Sequence, residues 1–346
     1  MKISVWGSAL VSWVVASSFA KSGYQVDFVP FPNGSIDTIP VDVENEPNLV
    51  PNVEEGVSSG FLRFSSVEQA ETNQVNILCF ASTEDDDLMQ VVNGLASKHK
   101  KDLTIISYSG SEIGATNRIL EIAGSPHERK ILYIADLLPY GAAVHEFNNS
   151  ENMVVGLADE NEIYRLQELF YPVINTDVTW YPMSYKEAEC VKLSISGMLA
   201  LRINYINEVA NLADKVGLSI DSIKKGILSD KRVGEYYLNP GCGFGGEKFT
   251  KHISSMSEML CEHDSQSLMR YVLSENERQK EMPFRKLWVF YGCKLDNKII
   301  SIWGLSYKPG TSSVSNSPSL KVVAALCAQG CVVNVHDPMA ARGFEK

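Results

Sequence analysis

The chain has 346 residues, of which 45% are hydrophobic, a length that predicts more than one domain with its own core. Its formal net charge of −11, without a run of lysine and arginine, argues against nucleic acid and anionic membrane surfaces as partners. The seven cysteines lack C-x-x-C spacing, which predicts reduced thiols in a cytoplasmic protein and neither disulfides nor a metal site.

The first thirty residues allow two interpretations. A lysine, an apolar run and small residues over 1–20 match a secretory signal. The alternative, which we favour, is a strand over Lys2–Trp6, a turn at Gly7, a helix from about Ala9 to Ser22 and a strand over Tyr24–Phe31. That order is typical of a nucleotide-binding β-α-β unit. No segment reaches the ~18 unbroken apolar residues that a membrane helix needs.

The turn of this unit departs from the G-x-G-x-x-G pattern of dinucleotide-binding folds. Gly7, Ala9 and Ser12 stand at its glycine positions, and the Ala9 methyl group lies where the backbone would approach a pyrophosphate. The helix amino terminus there still favours an anion. Pro30 stands where an acidic residue would hold ribose hydroxyls, and strand alternation turns Asp27 to the opposite face. A working NAD site and a fold kept without NAD both remain open.

Three later segments carry further candidate residues at or after predicted strands. They are the strand VNILCFAST ending at Thr83, the segment 106–114 with Ser107, and the segment 133–141 with Asp136. Alternating strands and helices predict an α/β domain over this part of the chain.

A long apolar-periodic helix is predicted over 187–214, and it carries Lys192, Ser196 and Asn207. The segment DKRVG at 230–234 follows it as a turn. Such a helix is compatible with a core position or an assembly role.

The segment GCGFGGEKFTKH at 241–252 is the most informative of the chain. Clustered glycines are usually a surface loop, but they also allow backbone groups to surround phosphates and bases. Farther on, the strand KIISIWGLSY leads into GLSYKPGTSSVSNSP at 304–318, followed by a helix near 320–329 and a strand at 331–336.

These segments resemble, in the same order over nearly the whole chain, motifs of the UDP-glucose/GDP-mannose dehydrogenase family. The loop is similar to G-x-G-F-G-G-S-C-F-P-K-D, the turn to D-x-R-I-G, and 304–318 to G-L-x-F-K-P-x-T-D-D-x-R-x-S-P. The resemblance implies an α/β fold with an N-terminal Rossmann-like domain (1–180), a central domain with a long dimerisation helix and the substrate loop (181–290), and a truncated C-terminal Rossmann-like UDP-binding domain (291–346). It also implies a homodimer that binds a nucleotide sugar.

The resemblance also assigns site residues. Catalytic positions fall on Asp136, Lys192, Ser196, Lys248 and His252. Cofactor positions fall on Gly7, Ala9, Leu10, Ser12, Thr83 and Ser107. Nucleotide-sugar positions fall on Asn207, Tyr237, Gly241, Gly243, Phe244, Gly245, Gly246 and Lys308.

Lys248 stands at the position of the family cysteine, which captures the sugar aldehyde between two hydride transfers, and His252 replaces an aspartate. An imine on Lys248 would stall the second oxidation, because it offers no thioester-like intermediate. We therefore predict a diverged member that has lost the four-electron oxidation and retains nucleotide-sugar or partner binding in polysaccharide biosynthesis. The alternatives are an active NAD-dependent dehydrogenase, rescued for example by Cys242, and a purely structural assembly protein.

Overall fold

The computed structural model describes residues 1–7, 9–30, 39, 41–80, 86–99, 101–108, 112–124, 129–174, 177–263 and 267–341. The chain divides into two compact units, Met1–Lys192 and Leu193–Lys346. Within the described ranges, no helix is both long and apolar enough to cross a bilayer.

Eight strands of the first unit form one sheet: β1 (Lys2–Trp6), β2 (Gln25–Val29), β3 (Leu62–Phe64), β4 (Val75–Leu78), β5 (Leu103–Ser107), β6 (Arg129–Ile134), β7 (Asn152–Gly156) and β8 (Thr179–Met183). Their order is β3-β2-β1-β4-β5-β6-β7-β8, and among the described strands only the β6–β7 pair is antiparallel. Parallel strands bring their carboxyl ends to one edge, where ligands of such folds bind.

Helices pack on both faces of this sheet: α1 (Leu10–Lys21), α2 (Val41–Glu44), α3 (Leu49–Ser58), α4 (Val67–Ala70), α5 (Asp86–Lys98), α6 (Ala115–Ala123), α7 (Ala143–Asn148) and α8 (Ile163–Phe170). Strand alternation divides the core between the faces. Ile3 and Val5 of β1 join the cluster under α1, which includes Trp13, whereas Trp6 joins the cluster under α5.

The predicted β-α-β unit is confirmed, since β1, α1 and β2 lie at the positions expected from the sequence and β1 pairs with both β2 and β4. Almost all of α1 is buried. Residues 2–21 are thus an integral part of the sheet and its covering helix, as the favoured interpretation required.

The second unit is mainly helical. The helix α9 (Tyr185–Val216) begins in the first unit and continues into the second, and it contains the predicted helix 187–214. The remaining elements are α10 (Ile220–Leu228), α11 (Glu247–His263), α12 (Leu268–Lys280), α13 (Met282–Phe290), β9 (Ile299–Trp303), α14 (Pro318–Ala328) and β10 (Val332–His336).

The expected strand-helix-strand order after residue 298 is confirmed, because β9 and β10 pair in parallel and α14 connects them. One face of this pair packs on an apolar cluster around Leu295, Val322 and Leu326. The α/β fold class, with a large mostly parallel sheet, a helix-rich centre and a small C-terminal α/β part, is therefore the one expected. The exact domain boundaries remain a prediction.

Candidate nucleotide-sugar site

The glycine-rich loop is held by amide side chains of two helices. At its start, the Gly241 N–H donates to Asn207 Oδ1 of α9 at 2.8 Å, and Gln279 Nε2 of α12 donates to the Gly241 carbonyl at 2.8 Å. Three residues later, the Phe244 N–H donates to Asn276 Oδ1 at 2.7 Å, while Asn276 Nδ2 donates to the Phe244 carbonyl at 3.0 Å. The backbone N–H and the carbonyl of both Gly241 and Phe244 are thus hydrogen-bonded to side chains.

Two of the loop's glycines are required by close contacts. Gly243 has φ of +90°, and a Cβ there would lie 2.7 Å from Asn276 Oδ1. A Cβ at Gly245 would lie 2.5 Å from the Asn316 carbonyl oxygen. Only glycine tolerates such approaches without moving the backbone. The loop's path therefore depends on one close contact with the Asn276 side chain and one with the Asn316 backbone.

Phe244 anchors the loop in a small core. Its ring meets Phe249 edge-on with centroids 5.3 Å apart, and it packs with Ala200, Ile253 and Val272. This anchoring explains why the phenylalanine accompanies the glycines, because burial of an aromatic ring fixes the loop against α9, α11 and α12.

Two other predicted substrate residues flank the loop. Tyr237 has φ of +59° and is 43% exposed, and burial of part of its ring raises the pKa of its hydroxyl. The turn before it is held by Arg202 of α9, which donates to the carbonyls of Val233, Gly234 and Tyr236. Lys308 is half-buried, and its ammonium lies 5.9 Å from the centroid of the Tyr307 ring.

The turn leading to Lys308 is organised by a carboxylate. Asp337 accepts hydrogen bonds from the backbone N–H groups of Leu305, Ser306, Met339 and Ala340. Burial opposes the charged form, but these four donors outweigh it and lower the pKa of Asp337 to about 2.

Two of the predicted catalytic positions are in direct contact. Ser196 Oγ of α9 lies 3.1 Å from His252 Nδ1 of α11, and both residues are buried. Lys248 is half-buried and lies one helical turn before His252 on α11. Lys192 is 3% exposed and lies one turn before Ser196 on α9.

Cys242 lies far from this pair. It follows Gly241, which is bonded to Asn207, and Asn207 is about 16 Å from Ser196 along α9 at ~1.5 Å per residue. Desolvation by the loop raises the pKa of the Cys242 thiol more than Lys286 lowers it. The geometry and the high pKa both argue against Cys242 as a substitute nucleophile.

In the first unit, the turn after β1 leads directly into the amino end of α1. Gly7 has φ of +122°, and a Cβ there would lie 2.2 Å from the Cys79 carbonyl oxygen. Ala9 caps α1 without a side-chain hydrogen bond, and Ser12 Oγ donates to the carbonyls of Gly7 and Ala9 at 2.8 and 2.6 Å. Leu10 begins the helix, whose amino end suits a pyrophosphate.

The adenosine end of an NAD site is missing from the described residues. Pro30 is buried directly after β2, and its side chain offers no hydrogen-bond acceptor. Asp27 is 1% exposed and ion-paired with Lys2 at 3.1 Å and Arg63 at 2.6 Å. Burial raises the pKa of Asp27, but its hydrogen bonds, with that from Asn73 the strongest, lower it overall. Asp27 is therefore engaged in the sheet, and the Pro30 side chain offers no acceptor for a ribose hydroxyl.

The other predicted residues of this edge lie at the strand ends. Ser107 closes β5 and Asp136 follows β6, both buried, and Asp136 Oδ1 accepts from the Leu138 N–H at 3.1 Å. Thr83 lies outside the described residues. Tyr108 directly follows Ser107, and its hydroxyl has no hydrogen-bond partner among the described residues. Burial, with Cys79 and Asp136 as further causes, holds its pKa well above the ordinary value.

The sequence did not predict Asn276, Gln279 or Arg202 as site residues. Asn276 and Gln279 lie three positions apart in the polar segment SENERQK, and that spacing puts them on one face of α12. The same pattern is usual for a solvated helix face, so only the facing loop identifies their role.

Comparison with known proteins gives consistent results for all parts of the chain. Models of the UDP-glucose/GDP-mannose dehydrogenase family match at residues 1–174 (NAD binding domain), 186–278 (central domain) and 301–346 (UDP binding domain).

Individual relatives agree with these models. UDP-glucose 6-dehydrogenase of Pseudomonas aeruginosa is 27% identical over 366 residues, covering 99% of this chain and 80% of that protein. UDP-glucose 6-dehydrogenase YwqF of Bacillus subtilis is 27% identical over 357 residues, covering 98% and 80%. Among solved structures, a UDP-glucose dehydrogenase of Pyrobaculum islandicum superposes with a TM-score of 0.85 at 26% identity, covering 99% of this chain and 83% of that one. The chain belongs to the UDP-glucose/GDP-mannose dehydrogenase family.

Proposed function

We propose that this chain binds a nucleotide sugar without oxidising it to the uronic acid, as a non-catalytic member of its family in polysaccharide precursor metabolism. The observation that carries the proposal is the contrast within the second unit. Asn207, Gln279 and Asn276 hold the glycine loop in place, whereas Lys248 occupies the position where the family nucleophile is expected.

The chemistry of the reaction explains why Lys248 matters. Oxidation of a primary alcohol to an acid takes two hydride transfers, and a thiolate holds the intermediate aldehyde as a thiohemiacetal that the second transfer converts to a thioester. An amine can form an imine with the aldehyde but not a thioester. Ser196 and His252 bond to one another, and the loop thiol of Cys242 follows Gly241, which is bonded to Asn207 at a distant part of α9.

We further propose that NAD binds weakly or not at all. The uncapped amino end of α1 would accept a pyrophosphate, but Pro30 offers no acceptor for the adenosine ribose. Tyr108 adds a bulky buried ring beside the strand ends where a dinucleotide would lie.

We propose a homodimer formed through α9. Apolar side chains recur along one stripe of this helix at spacings of seven, seven and four residues, and they are strongly exposed in the single chain: Met198 (60%), Tyr205 (60%), Leu212 (60%) and Val216 (57%). Such a stripe on a 32-residue helix supports a helix-to-helix interface. Sedimentation analysis of the purified protein, with Leu212→Glu as the disrupting variant, tests this interface.

A thermal-shift titration with UDP-glucose, GDP-mannose and NAD tests the ligand proposals, because a ligand that binds the folded state raises its melting temperature by mass action. We expect stabilisation by a nucleotide sugar and none by NAD. Stabilisation by NAD together with NADH formation would instead establish an active dehydrogenase. A protein indifferent to all three ligands would contradict nucleotide-sugar binding and favour a structural assembly role.

A further inference from the structure

A cavity of about 750 Å³ lies in the first unit, at the edge of the sheet opposite the one where ligands of such folds usually bind. Val75, which begins β4, and Asp102, which directly precedes β5, both line it, so the cavity lies at the amino ends of these strands. Its volume is typical of a small-molecule pocket. Among the described residues, none of those predicted to contact a cofactor or a nucleotide sugar lines it.

The floor of the cavity is apolar. It is formed by strands β5 and β6 and by the helix α8, through four buried side chains of one core cluster: Ile106, Leu132, Leu166 and Leu169. A ligand group that lies on this floor is removed from water, and an apolar group gains most from that transfer. The floor therefore requires a ligand with an apolar part.

Arg165 of α8 is exposed at the mouth of the cavity, and most of its hydrogen-bonding capacity is unused. Its Nη1 donates to Thr104 Oγ1 at 3.3 Å, and within the described ranges it has no carboxylate partner. Thr104 is only 5% exposed, and its own hydroxyl proton has no acceptor there. A guanidinium and a hydroxyl donor side by side suit a carboxylate, which accepts two parallel bonds from arginine.

Two carboxylates line the same cavity. Glu168 lies one turn after Arg165 on α8, and Asp102 lies at the start of β5. Neither side chain forms an ion pair or a hydrogen bond in the part of the chain that the structure describes. Burial, with Glu168 as a further cause, raises the pKa of the Tyr24 hydroxyl, which also lines the cavity. The cavity thus offers unpaired groups of both signs to one ligand.

We propose that this cavity binds an α-amino acid with a large apolar side chain. The ligand's carboxylate accepts from Arg165 and Thr104, its ammonium donates to Glu168 or Asp102, and its side chain lies on the apolar floor. A simple acid would leave both carboxylates of the cavity without a partner, and a simple amine would leave the guanidinium without one. The charge pattern therefore favours a zwitterion. This site goes beyond the proposed function, because it shares no residue with the glycine loop.

Isothermal titration of the full-length chain tests the inference with L-phenylalanine and two matched analogues. Phenethylamine lacks the carboxylate, and 3-phenylpropanoate lacks the ammonium. We expect L-phenylalanine to bind at least about tenfold more tightly than either analogue, because each analogue loses charge-assisted hydrogen bonds. Glycine should also bind more weakly, because it has no apolar side chain to place on the floor.

Two variants separate the charges of the cavity. Arg165→Gln should weaken L-phenylalanine and 3-phenylpropanoate about tenfold without weakening phenethylamine. Glu168→Gln combined with Asp102→Asn should weaken L-phenylalanine and phenethylamine without weakening 3-phenylpropanoate. A purely structural role would not produce this crossed pattern. Glu121→Gln is the matched control, because Glu121 is an exposed carboxylate on α6 outside the cavity and should leave all affinities unchanged.

Circular dichroism verifies that each variant is folded. The inference would be overturned if L-phenylalanine did not bind, or if it bound no more tightly than both analogues. Variants of Arg165 and of the two carboxylates that bind L-phenylalanine like the parent protein would overturn it as well. Each of these results leaves nucleotide-sugar binding intact, since that proposal depends on residues of the other unit.

Discussion

The glycine loop of the second unit and the dinucleotide turn of the first unit have diverged differently. The loop keeps Gly243 in a left-handed conformation against Asn276, and both peptide groups at Gly241 and Phe244 remain bonded. The dinucleotide turn keeps Gly7, whereas Pro30 directly follows β2 and has no acceptor on its side chain. Several amide side chains of two helices hold the loop, whereas the ribose contact expected from the family resemblance depends on one acidic side chain at the end of β2.

Among the substitutions in the loop, Gly243→Ala is expected to cause the largest loss of stability. The substitution strains a backbone with φ of +90° and overlaps Asn276 Oδ1, so we expect it to lower the free energy of unfolding by about 4 kcal/mol. Urea denaturation measures the change. Gly241→Ala is the control for stability, because a Cβ there meets no atom within 4 Å. Equal destabilisation by both variants would show that the close contact at Gly243 does not fix the loop.

A smaller loss of stability is expected when the Asn276 side chain, which bonds the N–H and the carbonyl of Phe244, is removed. Asn276→Leu leaves the N–H and the carbonyl of Phe244 buried without partners, which should cost about 3 kcal/mol of stability and abolish detectable nucleotide-sugar binding. Gln279→Leu removes the more exposed bond to Gly241 and the bond that Gln279 accepts from Asn211, and it should cost about 1 kcal/mol because these groups can turn to water. Thermal unfolding compares the stability of the two variants, and titration calorimetry compares their affinity for the nucleotide sugar. A larger effect at Gln279 would mean that Phe244 is not the main anchor.

Asp337 sharpens the comparison within the second unit, because it accepts hydrogen bonds from Leu305 and Ser306 in the turn before Lys308 and from Met339 and Ala340 directly after itself. Folding lowers the pKa of Asp337 from 3.8 to about 2. The ionised carboxylate therefore contributes about 2 kcal/mol to the free energy of unfolding above pH ~4, and this contribution is lost as the pH falls towards 2. Asp337→Asn should therefore be destabilised at neutral pH and approach the parent protein in acid. Urea denaturation across this pH range gives the difference, and a gap that does not narrow would contradict the assigned role.

Much of the fold was predictable from local patterns. Hydrophobic periodicity predicts the strand-turn-helix-strand order around Gly7 and the long helix over 187–214. This signal depends on residues that are close to one another in the sequence. The contact between Ser196 and His252 joins residues 56 positions apart, and no local pattern specifies such a distance. The hydrogen bonds between Asn276 and Phe244 could not be predicted for the same reason. The polar sequence of α12 is typical of a solvated helix face, and only the fold shows that the loop packs against it.

The smallest expected effect comes from restoring the family residues alone. Lys248→Cys combined with His252→Asp returns a thiol and a carboxylate to α11, yet we expect no NADH formation with UDP-glucose or GDP-mannose. The reason lies in the first unit, where Pro30 leaves the adenosine ribose without an acceptor and Tyr108 lies buried at the strand ends. Adding Pro30→Asp to the double variant, with Pro30→Asp alone as the control, asks whether the cofactor edge limits the reaction. NADH formation by the Lys248→Cys/His252→Asp variant without Pro30→Asp would contradict this expectation. It would mean that the first unit still supports NAD and that the missing nucleophile separates this chain from an active dehydrogenase.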